Sequence, residues 1–546
     1  MAEAVELQRL QQKVTDEPEE FEHWEKLVRA LETQEGGLNR NSSPQAIAVT
    51  RDTYDRFLAR FPLFFGYWKK YADLEFAIAG TEAAEMVYER GVASIGISVD
   101  LWANYCSFKV ETSHDPDVIR ELFERAAESV GLDFLAHPFW DKYIEFEERL
   151  ESPDRIFGIL ARIIHIPLHQ YARYFESYRT MAAKRQVEEL APPEILAGFR
   201  EEIESKPAAD QERELRSRLD TYHMEIFNNT QSMTTDRWTY EQEVKRPYYH
   251  VTDLDEAQLT NWRKYLDFEE GQGDYTRTKF LYERCLVTCA NYEEFWYRYA
   301  RWTLGQTDRP EIVRNEEARN IYRRAACIYV YISHPEIRLW YARFEESLGR
   351  ADIAIAIHDA ILRHLPGHLD TIISLVNTHR RQDGIDTALN IIRAYINSPD
   401  FNSSVKGALV AEEARLVWKI KGDPEAARQI FANSKQQFLD CKKFWVDYLE
   451  FERNQPTSEK EENARYQRMK AVLQEIRFKT RLQPATIADL SATYMMYLEE
   501  RGDKDAMIEW IELDRQINGP YSVTGKVDGE VPSSSAKPRT VPNGSS

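Results

Sequence analysis

The sequence predicts an all-α fold, an α-solenoid of stacked helix–turn–helix repeats in two blocks, and three observations carry that prediction. One short word recurs: W-K-K-Y-A-D-L-E begins at Trp68, W-D-K-Y-I-E-F-E-E at Trp140, W-R-K-Y-L-D-F-E-E at Trp262 and W-V-D-Y-L-E-F-E at Trp445. A second word follows after a polar break, as M-V-Y-E-R-G at Met86, E-L-F-E-R-A at Glu121, F-L-Y-E-R-C at Phe280 and N-I-Y-R-R-A at Asn320. Neighbouring anchors lie 34 residues apart (Trp68 to Trp102, Trp262 to Trp296) or 38 apart (Trp102 to Trp140). A period of this length marks a repeat architecture.

The first word is the buried face of a helix, called A here. With the anchor as position 0, an aromatic stands at +3 in Tyr71, Tyr105, Tyr143, Tyr265, Tyr299 and Tyr448. Position +6 is apolar (Leu74, Phe108, Phe146, Phe268, Trp302, Phe451), and +7 is acidic in Glu75, Glu147, Glu269 and Glu452. At roughly 100° per residue these offsets share one stripe. A strand would send 0, +3 and +7 to both faces.

The second word is an amphipathic helix B, with looser copies at Gln429 (Q-I-F-A-N-S) and from Ile156. Junctions before the next anchor carry Pro or His, as in F-P-L-F-F-G-Y-W at Phe61, L-A-H-P-F-W at Leu135 and I-S-H-P-E-I-R-L-W at Ile332. Proline stops a helix and stiffens the turn. One pair cannot bury its stripe alone, so neighbours must stack. Degenerate copies are read around Trp24, at Tyr341, Phe344 and Glu345, and at Leu498-Glu499.

The chain divides accordingly. Residues 1–20 form a polar N-terminal segment and 21–182 a first repeat block. Anchors vanish and charge rises over 183–245, read as long connecting helices, with Pro192-Pro193 marking one start. Residues 246–516 form the second block, and 517–546, poor in apolar content, are expected to be disordered.

Composition narrows the function. The 546 residues are 43% hydrophobic and 12% aromatic, with only 22 Gly and 22 Pro, which suits helices and disfavours an all-β reading. A net charge of −20 argues against phosphate gripping by the whole surface and fits protein partners, basic ones included. Five scattered cysteines make no disulfide framework and imply a reducing compartment. No signal peptide and no membrane span are expected, since no apolar run is long enough.

Candidate sites are few. The +7 Glu sits inside an apolar stripe, where an unpaired carboxylate is costly. An Arg follows 15 residues later in Glu75/Arg90 and Glu269/Arg284, which predicts a partly buried pair fixing the angle between A and B of one repeat. A carboxylate repeated in this way is not a catalytic acid. Cys285 and Cys289 read as small core residues, because no His or Cys cluster accompanies them. His165/His169 and His364/His368 each span a proline, so neither pair sits on one intact helix as a zinc motif requires. Gly519–Lys526 departs from a phosphate loop in spacing, and Val527 replaces the required Ser or Thr. Catalytic, cofactor-binding and metal-ligating residues are therefore not expected. One basic stretch (Arg465, Arg468, Lys470, Arg477, Lys479, Arg481) could meet RNA phosphates or an acidic partner, a solvated helix face being the plainer reading.

The words W-x-x-Y-x-x-[LF]-E and [YF]-E-R-[AC] resemble the half-a-TPR (HAT) repeat of RNA-processing proteins. The segment E-V-K-R-P-Y-Y-H-V-T-D-L-D-E-A-Q-L-T-N-W-R-K-Y-L-D-F-E-E, Glu243 to Glu270, resembles the start of the second repeat block in the pre-mRNA-processing factor 39 family, components of the U1 small nuclear ribonucleoprotein. The resemblance implies a nuclear, non-enzymatic scaffold without cofactor that joins U1 protein subunits during 5′ splice-site recognition. It also implies a dimer, with itself or a related HAT paralogue, through roughly residues 400–515. RNA contact would then be indirect. The rivals are direct RNA reading by the repeats and a HAT scaffold of mRNA 3′-end cleavage, against which K-R-P-Y-Y-H speaks. Two places depart from the pattern: Lys109, where Glu is expected, and Thr371–Arg381, where helix A lacks aromatics.

Overall fold

A computed structural model describes residues 2–204, 207–455, 458 and 460–519. Among the described residues the regular structure is helical, and A and B helices alternate as the words predict. In the first block a B helix, Pro44–Arg60, is followed by the A/B pairs Phe65–Ala79 with Thr81–Ser94, Val99–Thr112 with Pro116–Val130, and His137–Arg149 with Pro153–Ile163. Later pairs include Glu256–Gln272 with Tyr275–Thr288, Glu293–Leu304 with Glu311–Arg324, and Lys442–Arg453 with Glu462–Lys479. The helix Ala506–Asn518 takes in the first residues of the expected tail, and from residue 520 that tail lies outside the described residues.

Local chemistry sets the boundaries. Ser98, Asp115, Asp255 and Asp274 accept hydrogen bonds from the first-turn N–H groups of their helices, and Pro116 and Pro153 occupy the first turn, where no donor is lost. Gly80 (φ 92°) and Gly273 (φ 76°) end A helices in backbone conformations that a side chain would strain.

The connecting segment holds the helices Pro193–Ile203 and Ala208–Glu243, the first starting at the expected proline. The longer one buries a polar stripe: His223, Thr230, Thr234, Arg237 and Glu241, at heptad-like spacing, are all inside. Thr230 donates to the Ile164 carbonyl at 2.7 Å, and His223 Nε2 meets the Leu190 carbonyl at 2.8 Å. Contacts divide the chain into two compact units between Tyr331 and Ile332. The repeats from 246 to 331 thus cluster with the first block, a partition different from the sequence blocks. At Thr371–Arg381 the helix Leu369–Asp383 buries Ile372, Leu375 and Val376 where other A helices use aromatics.

Candidate interaction surfaces

The anchors form one constellation, repeated. Trp68, Trp102, Trp140, Trp262, Trp296 and Trp445 are all buried. Five of their indole N–H groups reach turn carbonyls upstream, among them Trp68 to Pro62, Trp102 to Gly96 and Trp296 to Ala290 at 2.8 Å, and Trp445 to Phe438 at 3.0 Å. Trp140 does the same to Gly131 at 3.1 Å. This explains tryptophan at position 0, because the apolar body fills the core while its donor closes the junction. Trp262 finds no partner among the described residues, since the chain six residues upstream is already helical.

Each +3 tyrosine lies flat on an aromatic of the preceding helix. Tyr71 stacks on Tyr54 (4.7 Å between centroids), Tyr105 on Tyr88 (4.9 Å), Tyr143 on Phe123 (4.6 Å), Tyr299 on Tyr282 (4.6 Å) and Tyr448 on Phe431 (4.7 Å). Tyr265 stacks likewise on Tyr240 of the long helix at 5.1 Å. Five of these hydroxyls donate to acids of that same helix, as Tyr105 to Glu89 (2.8 Å), Tyr143 to Glu124 (2.7 Å) and Tyr265 to Glu241 (2.8 Å). Burial and the neighbouring carboxylate push these phenols well above their ordinary range.

The +7 carboxylates are paired with arginine, but not with the one expected. Glu75 binds Arg51 through two bonds of 2.7 Å, and Glu147 binds Arg120 at 2.8 and 3.0 Å. Glu269 binds Arg237 at 2.6 and 2.9 Å, and Glu452 binds Arg428 at 2.7 Å. In each of these pairs the arginine comes from the helix preceding A, so the pair fixes one repeat against its predecessor; Glu452 in addition takes Arg468 of its own B helix at 3.1 Å. Lys109, the exception in sequence, keeps the link with charges exchanged, its Nζ meeting Glu85 of the preceding helix B at 2.7 Å.

Arg90 and Arg284 serve a second contact. Arg90 meets Asp55 at 2.8 Å, Arg125 meets Glu89 at 2.8 Å, Arg162 meets Glu124 at 2.7 Å and Arg324 meets Glu283 at 2.8 Å. Arg284 takes Glu241 at 2.5 and 2.7 Å. Each guanidinium also lies over its own anchor, from 5.2 Å at Trp296 to 6.0 Å at Trp262. Successive B-side helices are therefore joined by a ladder of acid–arginine rungs, with the +3 hydroxyl on the same acid.

The basic stretch does not form one free face. Arg465 is buried, with Nη1 on the Gln455 carbonyl at 3.0 Å, and Arg468 reaches Glu452 at 3.1 Å. Lys470 meets Glu509 at 3.2 Å, and Arg477 meets the Gln516 side-chain oxygen at 2.8 Å. Lys479 lies 3.7 Å from Glu475, and Arg481 is exposed. A packed helix turns one side inward in every turn, so a run of cations along a B helix cannot all meet solvent. The same end instead exposes apolar side chains. Phe478 (73% exposed) and Ile508 (69%) line one groove, with Met507 and Ile511 beside Ile508 on the last helix.

The remaining sequence candidates are structural. Cys285 and Cys289 are buried free thiols. His169 stacks on Trp238 at 5.2 Å, and His368 Nδ1 meets Thr371 Oγ1 at 2.8 Å. Among the described residues no His, Cys, Asp and Glu group has the makings of a metal site, and no helix is long and apolar enough to cross a membrane.

Comparison with known proteins gives this grammar a family. Residues 8–180 match the PRP39 N-terminal HAT repeat and residues 235–381 the PRP39 C-terminal HAT repeat. The pre-mRNA-processing factor 39 of Schizosaccharomyces pombe is 48% identical over 96% of this chain and 88% of its own. The Xenopus laevis protein of that name is 32% identical over 82% of this chain and 71% of its own. The chain belongs to the pre-mRNA-processing factor 39 family. Among solved structures, the crystal structure of CstF-77 covers 87% of this chain and 92% of that one with a TM-score of 0.55 at 12% identity, a likeness of fold. Within this chain, the segment around Lys245–Thr252 acts as a strap. Gln258 Oε1 accepts from the Lys245 N–H at 3.1 Å, and Arg246 Nη2 donates to the Thr252 carbonyl at 2.9 Å. Tyr249 is buried edge-on against Phe64, 5.0 Å between centroids.

Proposed function

We propose that this chain is a non-enzymatic nuclear scaffold of the U1 small nuclear ribonucleoprotein, joining protein subunits in pre-mRNA splicing and 5′ splice-site recognition. The observation that carries the reading is kinship along nearly the whole chain with pre-mRNA-processing factor 39, joined by a 24% identical match to the U1 small nuclear ribonucleoprotein component PRP42 of Saccharomyces cerevisiae over 53% of this chain. The geometry supports it: the recurring Trp, Tyr, Glu and Arg side chains all serve repeat-to-repeat contacts, which leaves the unshared surface for partners. Direct RNA reading needs exposed stacking aromatics and a free basic track. Here the recurring aromatics are buried, and most of the basic stretch is engaged internally.

The second block, 246–516, is the natural place for self-association, through its end at 400–515. Phe478, Met507, Ile508 and Ile511 give it an apolar face suited to a second copy or a related repeat protein. Affinity purification of the full chain should bring down U1 protein subunits, and filter binding to U1 RNA should be weak. Tight, steeply salt-dependent RNA binding would replace the scaffold reading with direct recognition. Light scattering should give a dimer that Ile508→Asp converts to monomer.

A further inference from the structure

The rung at Arg284 differs from the other four. Those pair one arginine with one carboxylate and are partly exposed. At Arg284 both partners are buried, and a second carboxylate enters: Asp133, from the turn before the Trp140 helix, lies 3.1 Å from Arg284 Nε. Two buried carboxylates thus share one guanidinium, one carboxylate more than its charge balances. Burial raises the proton affinity of Asp133, with Glu241 and Asp100 adding to the effect. An unbalanced buried charge is costly unless a counter-charge reaches it.

A pocket of about 290 Å3 opens onto this rung, with Asp133 and Arg284 among its lining. Its walls are apolar, from Phe65, Val99, Leu135 and Tyr248, and Asp100 adds a further carboxylate. His137 also lines it; burial holds its imidazole below the ordinary value, and its Nδ1 is buried without a partner among the described residues. The basic side chain next along the strap, Arg246, is tied to Thr252 by two bonds of 2.9 Å. The pocket therefore combines apolar sides, more carboxyl groups than cations and a neutral acceptor.

We propose that it receives an arginine side chain from a basic segment of a partner protein. A guanidinium is planar and weakly hydrated, stacks on aromatic and apolar walls, and delivers donors to a carboxylate in a fixed fork; an ammonium does none of these as well. The net charge of −20 draws a basic segment to the surface. The site stands on its own geometry and does not require the splicing assignment.

Fluorescence anisotropy on the full chain tests it, using a fluorescein-labelled Gly-Ser peptide with an Arg-Gly-Arg centre and its Lys-Gly-Lys counterpart. The arginine peptide should bind roughly tenfold more tightly than the lysine one. Asp133→Asn should weaken it by about tenfold or more while keeping the fold, since Arg284 retains Glu241. Val99→Trp, which fills the pocket without touching the rung, should abolish binding. Glu121→Gln, an exposed acid on the Pro116–Val130 helix, should change nothing. Equal binding of both peptides, wild-type affinity in Val99→Trp, or an equal loss in Glu121→Gln would reduce the interaction to diffuse attraction and overturn the site.

Discussion

At the scale of single residues, burial decides what each repeated charge contributes. Arg237 and Glu269 are 4% and 2% exposed, whereas Arg51, the partner of Glu75, is 41% exposed. Removing one member of a buried pair strands the other, at about 3–5 kcal/mol; a partner that reaches water is stranded far less, at about 1 kcal/mol. Glu269→Gln should therefore lower the denaturation midpoint much more than Glu75→Gln, measured side by side in urea. The need for an arginine was legible from the carboxylate inside an apolar stripe. Its identity was not, because helix A packs against two B-side helices, and sequence distance favours the one in its own repeat. His358 gives a separate residue-scale expectation. It is buried with Nε2 on Ser374 Oγ at 2.9 Å, and burial drives its pKa from 6.5 down to about 4. The unfolded chain then binds a proton that the folded chain refuses, so stability is complete above pH 6.5 and falls as the pH drops toward 4. The slope from this group is about 1.4 kcal/mol per pH unit. His358→Gln should flatten the pH dependence of the melting temperature over that window, and an unchanged slope would remove His358 as its source.

At the scale of helices, one side chain per repeat does two jobs. The ring of Tyr105 stacks on Tyr88, and its hydroxyl donates to Glu89, which Arg125 also holds. Tyr105→Phe keeps the stack and loses the hydrogen bond, costing about 1 kcal/mol. Tyr105→Ala loses the packing as well, about 3–5 kcal/mol. Equal costs for the two variants, by chemical denaturation, would mean that the hydroxyl and not the stack locks neighbouring helices. Periodicity made the A and B helices readable because tryptophan, tyrosine and phenylalanine mark their buried face. Over Ala208–Glu243 the anchors vanish, and the sequence suggested a long connecting helix without marking its buried face. Beyond Leu215 and Leu219, that helix buries His223, Thr230, Thr234, Arg237 and Glu241, so most of its inward stripe is polar and a hydrophobic pattern does not mark it. The basic stretch failed for the mirror-image reason. Charge counted along the sequence ignores which side of a helix each cation occupies, and Arg465 and Arg468 lie on the packed side.

At the scale of the molecule, the repeat architecture and the family were legible, while the exact repeat count and the grouping of repeats by contacts were not. The sequence blocks follow where tryptophan words occur, but compactness follows contacts. Polar links such as Arg237–Glu269, Thr230–Ile164 and Arg284–Asp133 gather residues up to Tyr331 into the first unit. Solenoid stability is close to a sum of repeat terms and nearest-neighbour interfaces, so damage spreads only as far as contacts carry it. Trp262→Ala removes a buried anchor from the first unit and Trp445→Ala one from the second, each costing about 3–5 kcal/mol locally. Calorimetry of the full chain should show two overlapping transitions, one lowered by Trp262→Ala and the other by Trp445→Ala. The block division would instead couple Trp262 to Trp445, and both variants would then lower the same transition. A shared shift would thus restore the boundary near residues 183–245 and make the Tyr331 division one of contact density alone.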